Sequence, residues 1–195
     1  MAITAPLVVI ITGERGAGKT NVCLALVKLA RQQGLRLQGV ISPAVFTGGM
    51  KTGIQVENAA TGERRLLAHV NQNNSQRDLQ TDHWVFDPEA MSWGSQILEQ
   101  CGDCDLLIVD ELGPLELLQH KGWVEGLTAL DQMNYRMGVV VIRPELLEIA
   151  KNLWPKAEVF EIMGENHLKS SRLYCSRMSK GDITTLFILF YCKFH

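Results

Sequence analysis

The sequence lacks the features of a secreted or membrane-spanning protein. Its five cysteines among 195 residues are an odd number at scattered positions, which argues against a disulfide scaffold and favours a reducing, cytoplasmic location. The start of the chain has neither the basic residues nor the long apolar core of a signal peptide. Residues 186–192, the most apolar stretch late in the chain, are far shorter than the roughly 20 residues that a membrane span needs. We therefore expect no membrane partner.

A surplus of either charge is also missing. Lysine and arginine total 19, and aspartate and glutamate total 21, so the formal net charge is −2. Because nucleic-acid-binding domains usually carry a basic face, we expect no nucleic-acid partner. The five histidines form no H-x-x-x-H or H-E-x-x-H pattern, and Cys101 and Cys104 have no second pair at metal-site spacing. A hydrophobic content of 46% is instead typical of a folded protein, and we expect a single domain over residues 1–195.

Apolar runs and helical spacings alternate along the chain. Residues 7–11, 106–109 and 138–142 are continuous apolar runs, which predict strands buried on both faces of a sheet. Helices are predicted over residues 19–33, 88–101 and 115–131. This alternation predicts an α/β fold in which helices flank a parallel sheet. Turn residues and polar–apolar alternation between residues 42 and 70 predict a β-hairpin inserted after the second strand.

A glycine-rich turn follows the first predicted strand and opens the first predicted helix. Its sequence fits the pattern G-x-x-x-x-G-K-[ST], in which glycines let backbone N–H groups converge on phosphate oxygens. The residues predicted to bind phosphate are Gly13, Glu14, Arg15, Gly16, Ala17, Gly18, Lys19 and Thr20. The Lys19 amine can reach the β- and γ-phosphates, and the Thr20 hydroxyl can bind Mg²⁺. The position between a strand and a helix is the context that this pattern requires.

Two acidic residues end the apolar run at residues 106–109. Because the carboxyl ends of parallel strands share one edge of a sheet, Asp110 and Glu111 are predicted to lie near the glycine-rich turn. There Asp110 can hold Mg²⁺ and Glu111 can orient or deprotonate an attacking water molecule. Arg143 follows the third apolar run at the same edge, where it is either a sensor of the γ-phosphate or a surface arginine before Pro144.

The segment that begins at Asp110 reads D-E-L-G-P-L-E-L, which resembles a signature of the THEP1-type nucleoside-triphosphatase family. Further residues in the same order are similar to that family's glycine-rich hairpin, its last strand and the Glu-Asn pair after that strand. They are Val45, Gly48, Gly49, Gly53, Thr61, Gly62, Val159, Phe160, Glu165 and Asn166. The resemblance covers residues 7–166 and implies a RecA-like P-loop fold.

The resemblance also implies an activity, namely Mg²⁺-dependent hydrolysis of ATP, GTP and other nucleoside triphosphates to the diphosphate and phosphate. It implies phosphate and Mg²⁺ binding by residues 13–20, Mg²⁺ binding by Asp110 and water activation by Glu111.

The chain departs from the family pattern at three places. The family's hairpin is arginine-rich, whereas this chain has Ala44, Phe46, Met50, Lys51 and Thr52 at the corresponding positions. His167 stands where the family carries an arginine, and residues 179–195 match no part of the family. Without an arginine from the hairpin, slow turnover is expected, since a missing arginine finger lowers the rate by about 10³- to 10⁵-fold in GTPases.

Two other functions remain open from the residues alone. The first is phosphoryl or adenosyl transfer to a small acceptor, with the segment 42–70 as a lid. The second is a nucleotide-binding switch that acts on an unknown protein partner and hydrolyses nucleotide incidentally. A regulatory GTPase is disfavoured, because the D-x-x-G at residues 110–113 is not followed by the N-K-x-D that reads guanine.

Overall fold

A computed structural model describes residues 6–71, 84–163 and 167–170. Its strands are β1 Leu7–Thr12, β2 Leu37–Ile41, β3 Ala44–Thr47, β4 Met50–Asn58, β5 Arg64–Val70, β6 Trp84–Phe86, β7 Cys104–Leu112, β8 Tyr135–Ile142, β9 Glu158–Met163 and β10 His167–Ser170. Its α-helices are α1 Lys19–Gln32, α2 Pro88–Glu99, α3 Pro114–Leu117, α4 Val124–Gln132 and α5 Leu147–Leu153, the last preceded by a 3₁₀ turn at Pro144–Leu146. All these strands belong to one sheet with the order β10-β9-β1-β8-β7-β2-β4-β5-β6, and β3 pairs with β4 beside this path.

The centre of the sheet is parallel, as predicted. Strands β9, β1, β8, β7 and β2 pair in parallel, with Val9 opposite Val139 and Ile108 opposite both Gly39 and Val139. Strands β1, β7 and β8 are mainly apolar on both faces because both of their faces are covered. Their carboxyl ends therefore lie along one edge, which carries the glycine-rich turn after β1 and the acidic pair of β7.

Beyond β2 the sheet becomes antiparallel, so the whole sheet is mixed. Strand β4 pairs antiparallel with β2, placing Val40 opposite Asn58, and β5 and β6 continue outward in the same manner. The prediction of one hairpin inserted after the second strand is not confirmed in that form. Residues 44–70 instead form three strands, and the longest of them extends the main sheet through its own hydrogen bonds to β2.

Helices cover both faces of the sheet, as the sequence predicts. The apolar residues of β1 alternate between the two layers, as side chains on a strand must. Val9 and Ile11 pack in the same layer as Leu26 of α1, whereas Ile10 packs in the layer that contains Leu98 and Leu130 of α2 and α4. Within the described ranges, no helix has the length and apolar character that a membrane crossing requires.

The predicted helix over residues 115–131 is two helices. Helix α3 has only four residues, and the chain turns at Gly122, whose φ is +70°, before α4 begins. The buried carboxylate of Glu116 accepts hydrogen bonds from the backbone N–H groups of Gly113 at 2.8 Å and Trp123 at 3.0 Å. These bonds close a loop over residues 113–123, directly after the acidic end of β7.

Candidate active site

The glycine-rich turn has the backbone shape that its glycines allow. Gly13, Gly16 and Gly18 all have positive φ angles, and that of Gly18 is +101°. A Cβ atom on Gly13 would collide with the backbone carbonyl of Ile162 in β9, so this position excludes every larger residue. Helix α1 starts at Lys19, and this places the N–H groups of its first turn beside the loop.

Lys19 lies across this loop. The side chain is only 8% exposed, and its Nζ atom donates hydrogen bonds to the carbonyl oxygens of Gly13 at 2.5 Å and Glu14 at 3.0 Å. The ammonium charge is therefore held at the loop before any phosphate arrives. The Glu14 and Arg15 side chains point to the outside of the protein and are exposed, whereas Ala17 packs against the core beneath α1.

Asp110 and Thr20 meet at the carboxyl edge of the sheet. Asp110 is 1% exposed, and its carboxylate accepts a hydrogen bond from the Ser42 backbone N–H at 3.2 Å. The Thr20 side chain is close enough to the carboxylate to lower its pKa. The pKa of Asp110 is raised to about 6, chiefly by burial and also by the nearby Glu111 charge, against the opposing effects of Ser42, Thr20 and Lys19.

The donor set around Asp110 fits Mg²⁺. A hydroxyl oxygen and a carboxylate oxygen are hard ligands of the kind that Mg²⁺ prefers, and they lie beside a loop shaped for phosphate. Among the described residues, no group of three or more His, Cys, Asp or Glu side chains forms a metal cluster. A Mg²⁺ ion held by Thr20 and Asp110 would take its other ligands from phosphate oxygens and water.

Glu111 and Arg143 form an ion pair at this edge. The guanidinium of Arg143 donates a hydrogen bond to the Glu111 carboxylate, and the Arg143 side chain is 52% exposed. The peptide bond between Asp110 and Glu111 is cis. The structure thus brings Glu111, which is predicted to activate water, into contact with Arg143. From the sequence, Arg143 was either a sensor of the γ-phosphate or a surface arginine.

Three residues were given no role in the sequence analysis. Ser42 follows β2, and its hydroxyl donates a hydrogen bond to the Asp110 carbonyl; the strand order that places it there could not be read from the sequence. Glu116 was noted only as part of the signature. Lys51 was noted only as a departure from the family, yet its charge interacts with those of Arg15 and Glu111. Glu165 and Asn166, on which part of the resemblance rests, lie outside the described residues, as do residues 179–195, which match no part of the family.

Comparisons with known proteins identify the family of this chain. A family model described as NTPase matches residues 8–171. The nucleoside-triphosphatase THEP1 of Caldivirga maquilingensis is 29% identical over 138 residues, which cover 71% of this chain and 75% of the relative. The protein of the same name from Pyrobaculum aerophilum is 30% identical over 143 residues, which cover 73% and 78%.

Two solved structures have a similar fold. The solution structure of a human cancer-related nucleoside triphosphatase matches with a TM-score of 0.62 at 20% identity, covering 96% of this chain and 97% of that one. The crystal structure of THEP1 from the hyperthermophile Aquifex aeolicus matches with a TM-score of 0.56 at 19% identity, covering 83% and 92%.

Proposed function

Because the chain belongs to the NTPase family, whose model matches residues 8–171, we propose that it hydrolyses nucleoside triphosphates to the diphosphate and phosphate. We extend this proposal to ATP, GTP and other nucleoside triphosphates as substrates and to Mg²⁺ as the cofactor. The observation that carries it is the meeting of Thr20, at the end of the phosphate loop, with the buried carboxylate of Asp110.

Substrate binding depends on the loop and on Lys19. The backbone N–H groups of residues 13–20 surround the phosphates, and the positive end of the α1 dipole adds to their attraction. Lys19 exchanges its hydrogen bonds with the Gly13 and Glu14 carbonyls for bonds to the β- and γ-phosphates. Thr20 and Asp110 hold Mg²⁺, which when bound neutralises charge on the β- and γ-phosphate oxygens.

Glu111 and Arg143 act at the γ-phosphate. In our proposal, the arriving phosphate offers Arg143 a second anionic partner, and the guanidinium moves from Glu111 to a γ-phosphate oxygen. The freed Glu111 carboxylate accepts a hydrogen bond from the attacking water and takes its proton as the water oxygen bonds to the γ-phosphorus. At the same time the bond from phosphorus to the β–γ bridging oxygen breaks, and the nucleoside diphosphate leaves. We include Arg15, which is exposed in the loop, among the residues that bind the phosphates.

The remaining assignments are part of the same proposal. We place the protein in the cytoplasm, with free nucleotides and not nucleic acid as its partners, and regard residues 1–195 as one domain. The near-neutral net charge and the free thiols of Cys23, Cys101 and Cys104 support this assignment. Transferase and switch functions are not favoured, since the relatives that match are named nucleoside-triphosphatases.

Phosphate release with Mg²⁺ across ATP, GTP, CTP and UTP tests the proposal. The wild type is expected to release phosphate from several nucleotides, and Lys19→Ala is expected to abolish that release. Lys28→Ala is the matched control, since Lys28 is an exposed residue of the same helix, and it should retain wild-type release. A wild type that binds nucleotide but releases no more phosphate than Lys19→Ala would overturn the proposal.

A further inference from the structure

The regular pairing of β7 with its neighbouring strands is interrupted at the acidic pair. The parallel register between β7 and β2 ends at Val109. On the other side, the register between β7 and β8 shifts between Val109 and Leu112. Asp110 and Glu111 lie in this interruption, so within the described residues the register that fixes the rest of β7 does not extend to them.

Ser42, the first residue after β2, contacts β7 at this interruption. Its hydroxyl donates a hydrogen bond to the carbonyl oxygen of Asp110. Its own backbone N–H donates a second bond, of 3.2 Å, to the carboxylate of the same residue. The two bonds thus hold different parts of Asp110, the main chain and the side chain, and the first of them depends on the serine hydroxyl.

Ser42 is itself held in place by the residues on both sides of it. Before it, Ile41 is fully buried in the layer that contains Leu26 of α1. After it, Pro43 is buried, and its carbonyl accepts a 2.8 Å hydrogen bond from the N–H of Gln55 in β4. A residue that precedes proline also has a restricted backbone. The Ser42 hydroxyl therefore has a defined position from which to hold the Asp110 carbonyl.

The Asp110 carbonyl belongs to the peptide group that leads to Glu111. A peptide group is planar, so its oxygen, its nitrogen and the Cα atom of the next residue move together. A hydrogen bond to that oxygen therefore limits the rotation of the plane from which the Glu111 side chain starts. This matters for catalysis, because a general base must stay within hydrogen-bond reach of the proton that it takes.

We propose that Ser42 is a positioning residue, whose hydroxyl holds the peptide group between Asp110 and Glu111 so that the Glu111 carboxylate stays aligned with the attacking water. This inference rests on the proposed nucleoside-triphosphatase activity and on the role of Glu111 in it. Ser42 exchanges no proton with the substrate and acts through Glu111 alone. Its N–H bond to the Asp110 carboxylate comes from the backbone and is kept when the side chain is changed.

Removal of the Ser42 hydroxyl is the first test. Ser42→Ala is expected to lower kcat for ATP by about 10- to 100-fold, because a displacement of about 1 Å in a catalytic group can cost that much rate. KM should change much less than kcat, since the phosphate loop and Lys19 are untouched. Ser42→Thr keeps the hydroxyl and should recover most of the rate. Ser95→Ala, at a half-buried serine of α2, is the matched control and should leave kcat unchanged.

A double-mutant cycle with Glu111→Gln shows whether Ser42 acts through Glu111. Single-turnover phosphate release is measured for both single variants and for the double variant. Ser42→Ala is expected to cost much less rate in the Glu111→Gln background than in the wild type, because the carboxylate that it aligns is already absent. A hydroxyl with a merely structural role would lower the rate by the same factor in both backgrounds, and that result would overturn the inference.

The outcomes separate this inference from the proposed function. If Lys19→Ala abolishes phosphate release while Ser42→Ala keeps the wild-type kcat, the role of Ser42 is overturned and the activity stands. If Glu111→Gln hydrolyses ATP at the wild-type rate, the inference fails together with the role of Glu111, and the activity again stands. A wild type without phosphate release overturns both the inference and the proposed function.

A second variant guards against an effect on folding. Ser42→Cys fills the position with a thiol, which is only a weak hydrogen-bond donor, and it must repeat the slow turnover of Ser42→Ala. A wild-type kcat for Ser42→Cys would overturn the inference. Unfolding temperatures well above the assay temperature for both variants exclude loss of the fold as the cause of slow turnover.

Discussion

Arg143, directly after β8, forms an ion pair with Glu111 of β7, although the two residues are 32 positions apart in the chain. While an oxygen of the Glu111 carboxylate accepts this hydrogen bond, the same lone pair is not available to an attacking water. The pair therefore links the two roles that we propose. In our proposal, Arg143 releases Glu111 when a γ-phosphate oxygen offers the guanidinium another anionic partner.

The first prediction concerns Glu111. We expect Glu111→Gln to lower kcat by about 10²- to 10⁴-fold, because an amide keeps the shape of the side chain but cannot take a proton from water. Single-turnover phosphate release at saturating nucleotide measures this change. Affinity for a non-hydrolysable triphosphate should not fall, and unchanged hydrolysis would remove Glu111 from the mechanism.

The second prediction concerns Arg143. We expect Arg143→Ala to weaken binding of a non-hydrolysable triphosphate by about 10- to 100-fold, the value of one charge-assisted hydrogen bond, without affecting the diphosphate. Titration calorimetry with both nucleotides measures the difference. Arg136→Ala is the control, since Arg136 lies near the start of β8, the strand that Arg143 follows, and pairs with Asp105 at 3.9 Å. Equal weakening of both nucleotides by Arg143→Ala would contradict a sensor role.

The third prediction concerns Glu116. Its two carboxylate oxygens accept hydrogen bonds from the Gly113 and Trp123 N–H groups, and an amide in Glu116→Gln would oppose one of these donors with an NH₂ group. We expect a loss of about 1–3 kcal/mol in the free energy of unfolding. Urea unfolding measures this loss. Glu148→Gln, at a residue whose side chain is 83% exposed, should leave the midpoint unchanged. Equal midpoints for the two variants would show that the loop does not depend on Glu116.

The fourth prediction concerns Gly39 in β2. Its φ is +103°, and a Cβ atom would collide with the backbone carbonyl of Ile108 on the neighbouring strand. We expect Gly39→Ala to lower the free energy of unfolding by at least about 2 kcal/mol. Gly102→Ala is the matched control, because a Cβ atom there meets open space. Thermal unfolding of both variants measures the difference, and a Gly39→Ala variant as stable as Gly102→Ala would refute the prediction.

The fifth prediction concerns the Cys101 thiol. Burial raises the pKa of Cys101 from 9.0 to about 11, so its reactive thiolate at pH 8 is about 100-fold scarcer than that of an ordinary cysteine. We expect slow alkylation by iodoacetamide that accelerates about tenfold per pH unit up to about pH 11. Because folding raises this pKa, the stability that the neutral thiol contributes is present below pH 9 and is lost as the pH rises toward 11.

Peptide mass spectrometry measures the rate at Cys101, with the same peptide in urea-unfolded protein as the reference. Alkylation at pH 8 that is as fast in the folded protein as in the unfolded one would contradict the raised pKa. It would also revive a redox role for Cys101 and Cys104, which the burial of both thiols argues against.

The features that local chemistry controls were predictable from the sequence. The glycine-rich turn was recognisable because only glycine tolerates the positive φ angles at Gly13 and Gly18, and the lysine and threonine that follow have fixed positions relative to the helix start. The parallel strands were recognisable because burial on both faces requires continuous apolar runs. Asp110 and Glu111 were placed correctly at the edge of the sheet because they directly follow such a run.

Other features depend on contacts between distant parts of the chain. The helix predicted over residues 115–131 is split into two helices. This split depends on the Glu116 carboxylate, which accepts a hydrogen bond from the Trp123 backbone N–H seven residues further along the chain. The mixed character of the sheet depends on the pairing of β4 with β2, which local alternation in residues 54–57 cannot specify.

The sequence by itself therefore determined which chemical groups this protein carries to one edge of a parallel sheet. Only the tertiary structure decided how those groups face each other: Ser42 contacts Asp110, and Arg143 contacts Glu111. The reason is physical. A backbone conformation or a buried strand is selected by the residues within it, whereas a contact between side chains depends on strand order and packing, which the whole chain determines together.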